Sequence, residues 1–208
     1  MGKFRQGLIA VFLLFCVWRA GDAFLHRAVS QPPGVLAPEE PQQTEPASRT
    51  AIQHGKFTLF PLADYSITAR ILSRERYRFD RSAALSPLDF ALGWGPMSDS
   101  TVLDRLDISQ GSRWFWLHYS GAPPLPMGEL TGHAANVHLI PADDMVRADL
   151  LRLRTGQLVT LEGQLVSASS PDGFAWESSL SRHDTGEGSC EVFYVRKAFP
   201  RLTRPRAD

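Results

Sequence analysis

The stretch that decides the fold reads Leu158-Val159-Thr160-Leu161-Glu162-Gly163-Gln164-Leu165-Val166. Its apolar and β-branched residues predict a strand that is buried on at least one face. The glycine near its middle indicates a bulge or a tight bend, because glycine inside a strand adds no packing and permits unusual backbone angles. The stretch therefore predicts a strand with a bulge or a tight bend at Gly163.

Two more strands are predicted after this one. Ser170-Pro171-Asp172-Gly173 is a turn, since proline fixes one backbone angle and glycine permits the other. Residues 174–178 return from the turn, and residues 191–195 complete a three-strand meander. A strand with a glycine bend followed by a hairpin looks like part of a small barrel of the oligonucleotide/oligosaccharide-binding (OB) type. The predicted fold class is α+β, a small antiparallel-strand-rich domain with a partial OB-like barrel and two to three short helices.

The elements upstream are predicted from alternation and from capping residues. Strands are predicted at 57–60, 65–72, 113–119 and 136–140, and short helices at 86–92, 98–106 and 142–154. Ser86 followed by Pro87 is typical of a helix start, and Asp143 and Asp144 lie in the first turn of the third helix, where acidic residues are favourable. Ser98 or Asp99 caps the second helix.

The N-terminus has the order of an export signal. Lys3 and Arg5 precede an apolar run from Leu8 to Trp18, and small residues follow up to Ala23. A membrane-spanning helix needs about 20 apolar residues, which this run does not supply. Residues 1–23 are therefore predicted to be a signal peptide cleaved near Ala23, with an uncleaved N-terminal anchor, a lipidated Cys16 and a buried soluble helix as alternatives. Both the signal and the anchor place the bulk of the chain outside the cytoplasm, as a periplasmic or inner-membrane-anchored protein.

The rest of the chain divides by composition. Residues 24–54 hold five prolines between positions 30 and 50, together with Gln, Glu and Ser, which predicts a Pro-rich disordered linker. Residues 55–198 are predicted to form a single globular α+β domain, and residues 199–208 a basic flexible tail. The linker either holds the domain away from a membrane or is a passive tail.

Charge and cysteine content exclude some partners. The chain has 22 Lys and Arg against 22 Asp and Glu, so its net charge offers no general attraction to nucleic acid, and no nucleic-acid partner is predicted. Of the two cysteines, Cys16 lies in the predicted signal, so only Cys190 remains in the mature domain and no internal disulfide is available.

Three residues are candidates for catalysis. Cys190, His138 and Asn136 are of the types that serve as nucleophile, base and orienting group in thiol hydrolases. Their spacing does not show that they meet, and a free cysteine at the start of a buried strand is commonly a small apolar filler. Histidines spaced like His133 and His138 lack a tight metal-ligand signature, so no metal site and no cofactor are predicted.

Three of the five tryptophans are candidates for binding. Trp114 and Trp116 lie on one face if their segment is a strand, and Trp94 lies in a Gly-Trp-Gly-Pro turn. Such an aromatic face binds sugar rings or peptides, although core filling is the simpler role for tryptophan in a small domain.

Three segments carry a resemblance to known sequences. They are Gly93-Trp94-Gly95-Pro96-Met97-Ser98-Asp99, Asn136-Val137-His138-Leu139-Ile140-Pro141-Ala142-Asp143 and Cys190-Glu191-Val192-Phe193-Tyr194-Val195. The chain resembles, over about residues 56–197, a group of bacterial proteins with an N-terminal hydrophobic segment. The resemblance implies no activity and no site residues.

The sequence favours an exported or membrane-tethered interaction module over an enzyme. Its partners are predicted to be the membrane, through an uncleaved N-terminal segment, and a cell-envelope protein or glycan. The alternatives are a hydrolase that uses Cys190 and His138, and a sugar- or peptide-binding domain that uses the aromatic face.

Overall fold

The computed structural model describes Ile9, Phe12 and residues 27–181 and 188–201. Within these residues the chain forms ten strands and three α-helices, and the strand pairs are mostly antiparallel. The predicted α+β, antiparallel-strand-rich fold class is confirmed. The strands are β1 Gln42–Thr44, β2 Ile52–His54, β3 Phe57–Arg76, β4 Leu88–Gly93, β5 Asp107–Gly111, β6 Trp114–His118, β7 Ala134–Pro141, β8 Leu158–Ser169, β9 Ala175–Glu177 and β10 Glu191–Arg201. The helices are α1 Ser100–Leu103, α2 Met127–Gly132 and α3 Asp144–Arg152.

Five of the strands pair in a closed ring. β3 pairs with β4, β4 with β7, β7 with β10, β10 with β8, and β8 again with β3. The β7–β10 pair is parallel and the other four pairs are antiparallel. Helix α3 connects β7 to β8, and β5 and β6 form a separate two-stranded hairpin inserted between β4 and β7.

The bulge or tight bend predicted at Gly163 coincides with an irregularity in the ring. The register of β10 against β8 shifts between Val195 and Lys197, next to the point where Gly163 pairs with Val195. A Cβ atom on Gly163 would lie 2.0 Å from the backbone oxygen of Tyr194, far inside van der Waals contact. Only glycine fits here, because the β10 backbone crosses directly over this residue.

The interior of the ring is filled by alternate residues of its strands. In β4, Leu88, Phe90 and Leu92 are fully buried in the main core cluster. The helix predicted over 86–92 is therefore wrong, and these residues form β4 instead. The helix-start signal of Ser86 and Pro87 is outweighed by burial of these three side chains. They alternate along the sequence, so only a strand brings all of them into the ring, and Asp89 and Ala91 then lie on the outer face of β4.

The helices predicted over 98–106 and 142–154 are present as α1 and α3, and both are shorter than predicted. Asp99 accepts a hydrogen bond from the Thr101 N–H at 2.9 Å and caps α1, which ends at Leu103. Asp143 accepts from the Val146 N–H at 2.8 Å and caps α3.

Two strand predictions need correction. The strands expected at 57–60 and 65–72 are one continuous strand, β3. The predicted meander is also wrong in its order, since β8 lies between β9 and β10 and pairs with both. The closed ring explains this order, because β10 fills the position between β8 and β7.

The predicted linker over 24–54 is corrected for residues 27–54, which lie against the domain. β1 pairs with β3, and the backbone N–H groups of Leu36 and Ala37 both donate to the Ser98 hydroxyl at 3.0 Å. The Gly34 N–H donates to the Asp99 carboxylate at 2.9 Å. A proline-rich segment can be ordered in this way because side chains and a strand edge satisfy the backbone groups that it cannot satisfy itself.

The predicted tail is corrected for its first three residues. β10 continues to Arg201, which pairs with Leu158 of β8. Residues 202–208 lie outside the described residues, as does the predicted signal or anchor at 1–23 apart from Ile9 and Phe12. In the part of the chain that the structure describes, no helix is long and apolar enough to cross a membrane.

Candidate functional site

Polar side chains are buried on the outer face of β4 and β7. Asp89 of β4 pairs in register with His138 of β7, and both are almost inaccessible to solvent, at 0% and 2% exposure. The Nδ1 of His138 donates to Asp89 Oδ2 at 2.9 Å. A carboxylate removed from water is stable only when its oxygens are paired, so Asp89 requires further partners.

Arg113 supplies the second partner. It lies in the turn between β5 and β6, and its guanidinium donates to Asp89 Oδ1 at 2.7 Å. It also donates to both carboxylate oxygens of Asp80, at 2.9 and 3.0 Å. The guanidinium carbon lies 3.6 Å from the ring centroid of Tyr77, which is a cation–π contact. Arg113 therefore joins the β5–β6 hairpin to the ring through charge-assisted bonds.

The backbone at this turn is held in an unfavourable region. Ser112 and Arg113 have φ angles of 49° and 66°, which residues with a side chain adopt at a cost of roughly 1–2 kcal/mol each. The Arg113 N–H donates to the Tyr77 hydroxyl at 2.8 Å, and this bond together with the guanidinium contacts offsets the cost. Backbone strain of this kind persists only where the surrounding contacts fix the conformation of the turn.

The pKa values of two neighbouring groups follow from this environment. Burial raises the pKa of Tyr77 to about 12, although the hydrogen bond from the Arg113 N–H opposes it. Burial also acts to raise the pKa of Asp80, but hydrogen bonds from Ser82 and Arg113 outweigh it and the pKa lies below its ordinary value. Both groups are therefore held in one protonation state at neutral pH, Tyr77 neutral and Asp80 charged.

Asn136 connects this network to Cys190. Its amide nitrogen donates to the Arg113 carbonyl at 3.0 Å and to the Cys190 sulfur at 3.4 Å, while its oxygen accepts from Gln110 at 2.8 Å. The candidates Asn136 and Cys190 are thus brought together. The His138 ring is held by Asp89 and contacts the Trp176 ring, with the ring centroids 4.4 Å apart and the planes tilted by 41°.

A cleft of about 280 Å³ opens beside Asn136, between the ring and strand β6. We call it the tryptophan cleft, because all three tryptophans singled out in the sequence line it. Its described lining consists of Trp94, Trp114, Phe115, Trp116, Leu117, Met127, Thr131, Ala134, Ala135, Asn136, Ser181, Ser189, Cys190 and Glu191. Aromatic and apolar side chains predominate, with a few polar groups at one side, which is the composition of a ligand site.

The three tryptophans differ in exposure. Trp94 is 1% exposed and forms the floor, and its indole N–H donates to Glu40 at 2.8 Å. Trp114 is partly buried, whereas Trp116, at the rim, is 41% exposed and Met127, also in the lining, is 43% exposed. Core filling therefore accounts for Trp94 but not for Trp116.

Sequence reasoning missed Asp89, Arg113 and Asp80. The helix predicted over 86–92 puts Asp89 in its first turn, and the strand predicted over 113–119 simply begins at Arg113, so neither prediction gives these residues a role in a site. One sequence signal points to Asp89 and His138, because each is an isolated ionisable residue within an apolar segment. Such a segment is typical of a buried strand, and an ionisable side chain buried there needs a polar partner.

The described residues contain no group of three or more His, Cys, Asp and Glu side chains placed to hold a metal ion. Comparisons with protein-family models, with curated proteins and with solved structures find no match. The fold and the site therefore rest on the geometry of this chain, and the resemblance to a bacterial group stays a prediction.

Proposed function

We propose that this chain is a non-catalytic binding module, exported or membrane-tethered through its N-terminal segment, that takes a cell-envelope ligand in the tryptophan cleft. The observation that carries the proposal is the convergence of Trp94, Trp114 and Trp116 on one cleft. An aromatic side chain left as exposed as Trp116 beside a preformed cavity favours ligand binding, because tryptophan offers a large contact area with little entropy to lose.

The strand ring supports this proposal. Its closed order, with one parallel pair and a helix between β7 and β8, fits a five-stranded barrel of the OB type. In OB barrels, ligands bind on the face of the second and third strands and at the neighbouring loops. The corresponding strands here are β4 and β7, and the cleft begins at Asn136 on β7. Because fold alone does not define function, the cleft remains the main argument.

The hydrolase alternative has less support. A general base needs to lie within about 2.6–3.2 Å of the group that it deprotonates. The described contacts of His138 are with Asp89 and Trp176, and the amide that contacts the Cys190 sulfur belongs to Asn136. His138 therefore serves the Asp89–Arg113 network, and the binding function is the better account of the site.

The binding proposal is tested with a neutral apolar dye, N-phenyl-1-naphthylamine, whose fluorescence rises in apolar surroundings. We expect the full-length chain to bind the dye and Trp116→Ala to weaken binding at least tenfold, about 1.4 kcal/mol, because the rim of the cleft is lost. The matched control is Phe60→Ala, since Phe60 is similarly exposed at 45% and lies outside the cleft lining. Any binding to the N-terminal apolar segment is common to all variants. Equal affinities of Trp116→Ala and Phe60→Ala would contradict the proposal.

A second prediction separates binding from hydrolysis. In a Cys16→Ser background, we expect iodoacetamide to alkylate Cys190 in the folded chain at pH 7 no faster than it alkylates glutathione. His138→Gln, which keeps an N–H donor for Asp89, is expected to leave the rate unchanged, because the described contacts of this imidazole are with Asp89 and Trp176. An alkylation rate a hundredfold above glutathione that falls on His138→Gln would favour the hydrolase.

A further inference from the structure

We propose that the ligand of the tryptophan cleft is an extended polypeptide segment that adds as a third strand to the edge of β6 that faces away from β5. This inference rests on the proposed function and specifies its ligand class. It is carried by the position of the cleft relative to the β6 backbone.

The cleft runs along an edge of β6. Four consecutive residues, 114–117, line it, although successive side chains of a strand point to opposite faces. A cavity that touches both faces in this way lies along the edge of the strand. β5 pairs with one edge of β6, and among the described residues β6 pairs with no other strand. The cleft therefore follows the edge of β6 opposite β5.

The turn geometry identifies the main-chain groups that point into the cleft. Ser112 and Arg113 both have positive φ angles, so they form the two-residue turn in which the flanking residues Gly111 and Trp114 exchange both hydrogen bonds. Bonded and non-bonded pairs then alternate along the hairpin. The N–H and C=O groups of Phe115 and Leu117 consequently point away from β5 and toward the cleft.

The opposite wall also ends in an open strand edge. β10 begins at Glu191, which pairs with Val137 of β7, so residues 134–136 have no strand on that side among the described residues. Asn136 fixes the hairpin to this wall through its bond to the Arg113 carbonyl. A preformed site between two fixed walls lowers the entropy lost on binding, which favours strand addition.

The lining defines the chemistry of the segment. Aromatic and aliphatic side chains predominate, and the described lining residues include no Lys, Arg or His that could hold an acidic group. A neutral, apolar or β-branched segment fits this described lining. A glycan would use the tryptophan faces but not the repeated main-chain donors and acceptors of β6, so the edge favours a peptide.

The experiment uses the full-length chain and the neutral peptide acetyl-Thr-Val-Thr-Val-Thr-Val-amide. We expect it to displace N-phenyl-1-naphthylamine and to slow hydrogen exchange at the Phe115 and Leu117 amides at least tenfold. The Trp114 and Trp116 amides, which already bond to β5, are expected to change little. The same peptide with every amide N-methylated is the matched control, and we expect it to bind at least tenfold more weakly because it cannot donate main-chain hydrogen bonds.

The outcomes separate this inference from the proposed function. If an N-acetylglucosamine trisaccharide displaces the dye and the peptide does not, strand addition is overturned and the binding function stands. Strand addition is also overturned if the peptide binds without protecting Phe115 and Leu117, or if N-methylation has no effect. Dye binding that does not depend on Trp116 would overturn the binding function itself.

Discussion

Replacing Arg113 with methionine is expected to lower the free energy of unfolding by about 3–5 kcal/mol, because removal of one partner leaves a buried charge uncompensated. Asp89 has no exposed surface and would keep His138 at 2.9 Å and the Ser86 hydroxyl at 3.4 Å, but no positively charged guanidinium. The cation–π contact with Tyr77 and the bonds to Asp80 would also be lost. Urea unfolding of the full-length chain, followed by tryptophan fluorescence, measures the change.

Two further variants make this prediction specific. Arg152→Met removes an exposed ion pair with Asp149 and is expected to cost less than about 1 kcal/mol. Combining Arg113→Met with Asp89→Asn removes the buried charge and is expected to recover part of the loss. Equal losses of unfolding free energy in Arg113→Met and Arg152→Met would contradict this prediction. A double variant less stable than Arg113→Met alone would contradict it as well.

Gly163→Ala is expected to cost about 3 kcal/mol or more, at the upper end of the range for overpacked positions. The added Cβ would meet the Tyr194 carbonyl oxygen at 2.0 Å, and Gly163 and Tyr194 lie on strands that pair within the ring. Relief requires β8 and β10 to separate where the ring closes. The same urea unfolding experiment measures the loss.

Gly128→Ala is the matched control for this substitution. Gly128 lies in α2, its φ angle is not positive, and a Cβ there meets nothing within 4 Å. We expect a neutral or slightly stabilising effect, since alanine is favoured over glycine in helices by about 1 kcal/mol. Similar stabilities of Gly163→Ala and Gly128→Ala would show that β8 and β10 do not approach as described.

Local sequence signals predicted the elements whose causes are local. The pattern of β8 and its glycine predicted a strand with a bulge or a tight bend, and Asp143 and Asp144 predicted the first turn of α3. The segment 86–92 carried an equally good start signal and yet forms β4, because burying Leu88, Phe90 and Leu92 inside the ring outweighs a capping preference. A capping residue contributes typically ~1 kcal/mol, whereas three buried apolar side chains contribute several times more.

The site depends on contacts between residues distant in sequence, which is why the sequence predicted it only in part. The tryptophans were identified by type, but their convergence on one cleft depends on ring closure and on the hairpin insertion. Arg113 gave no local signal, because its role arises from Asp80 and Asp89 on other segments. The order of residues 27–54 likewise depends on acceptors such as Ser98, which no property of the proline-rich segment indicates.

The most direct test of the account is a residue-resolved titration of the tryptophan indole N–H signals by ¹⁵N NMR. On addition of N-phenyl-1-naphthylamine, the signals of Trp114 and Trp116 are expected to shift together with one dissociation constant. The Trp176 signal, from a residue outside the cleft lining, is expected to stay in place. A titration that shifts Trp176 and leaves Trp114 and Trp116 unchanged would contradict the assignment of the cleft as the binding site.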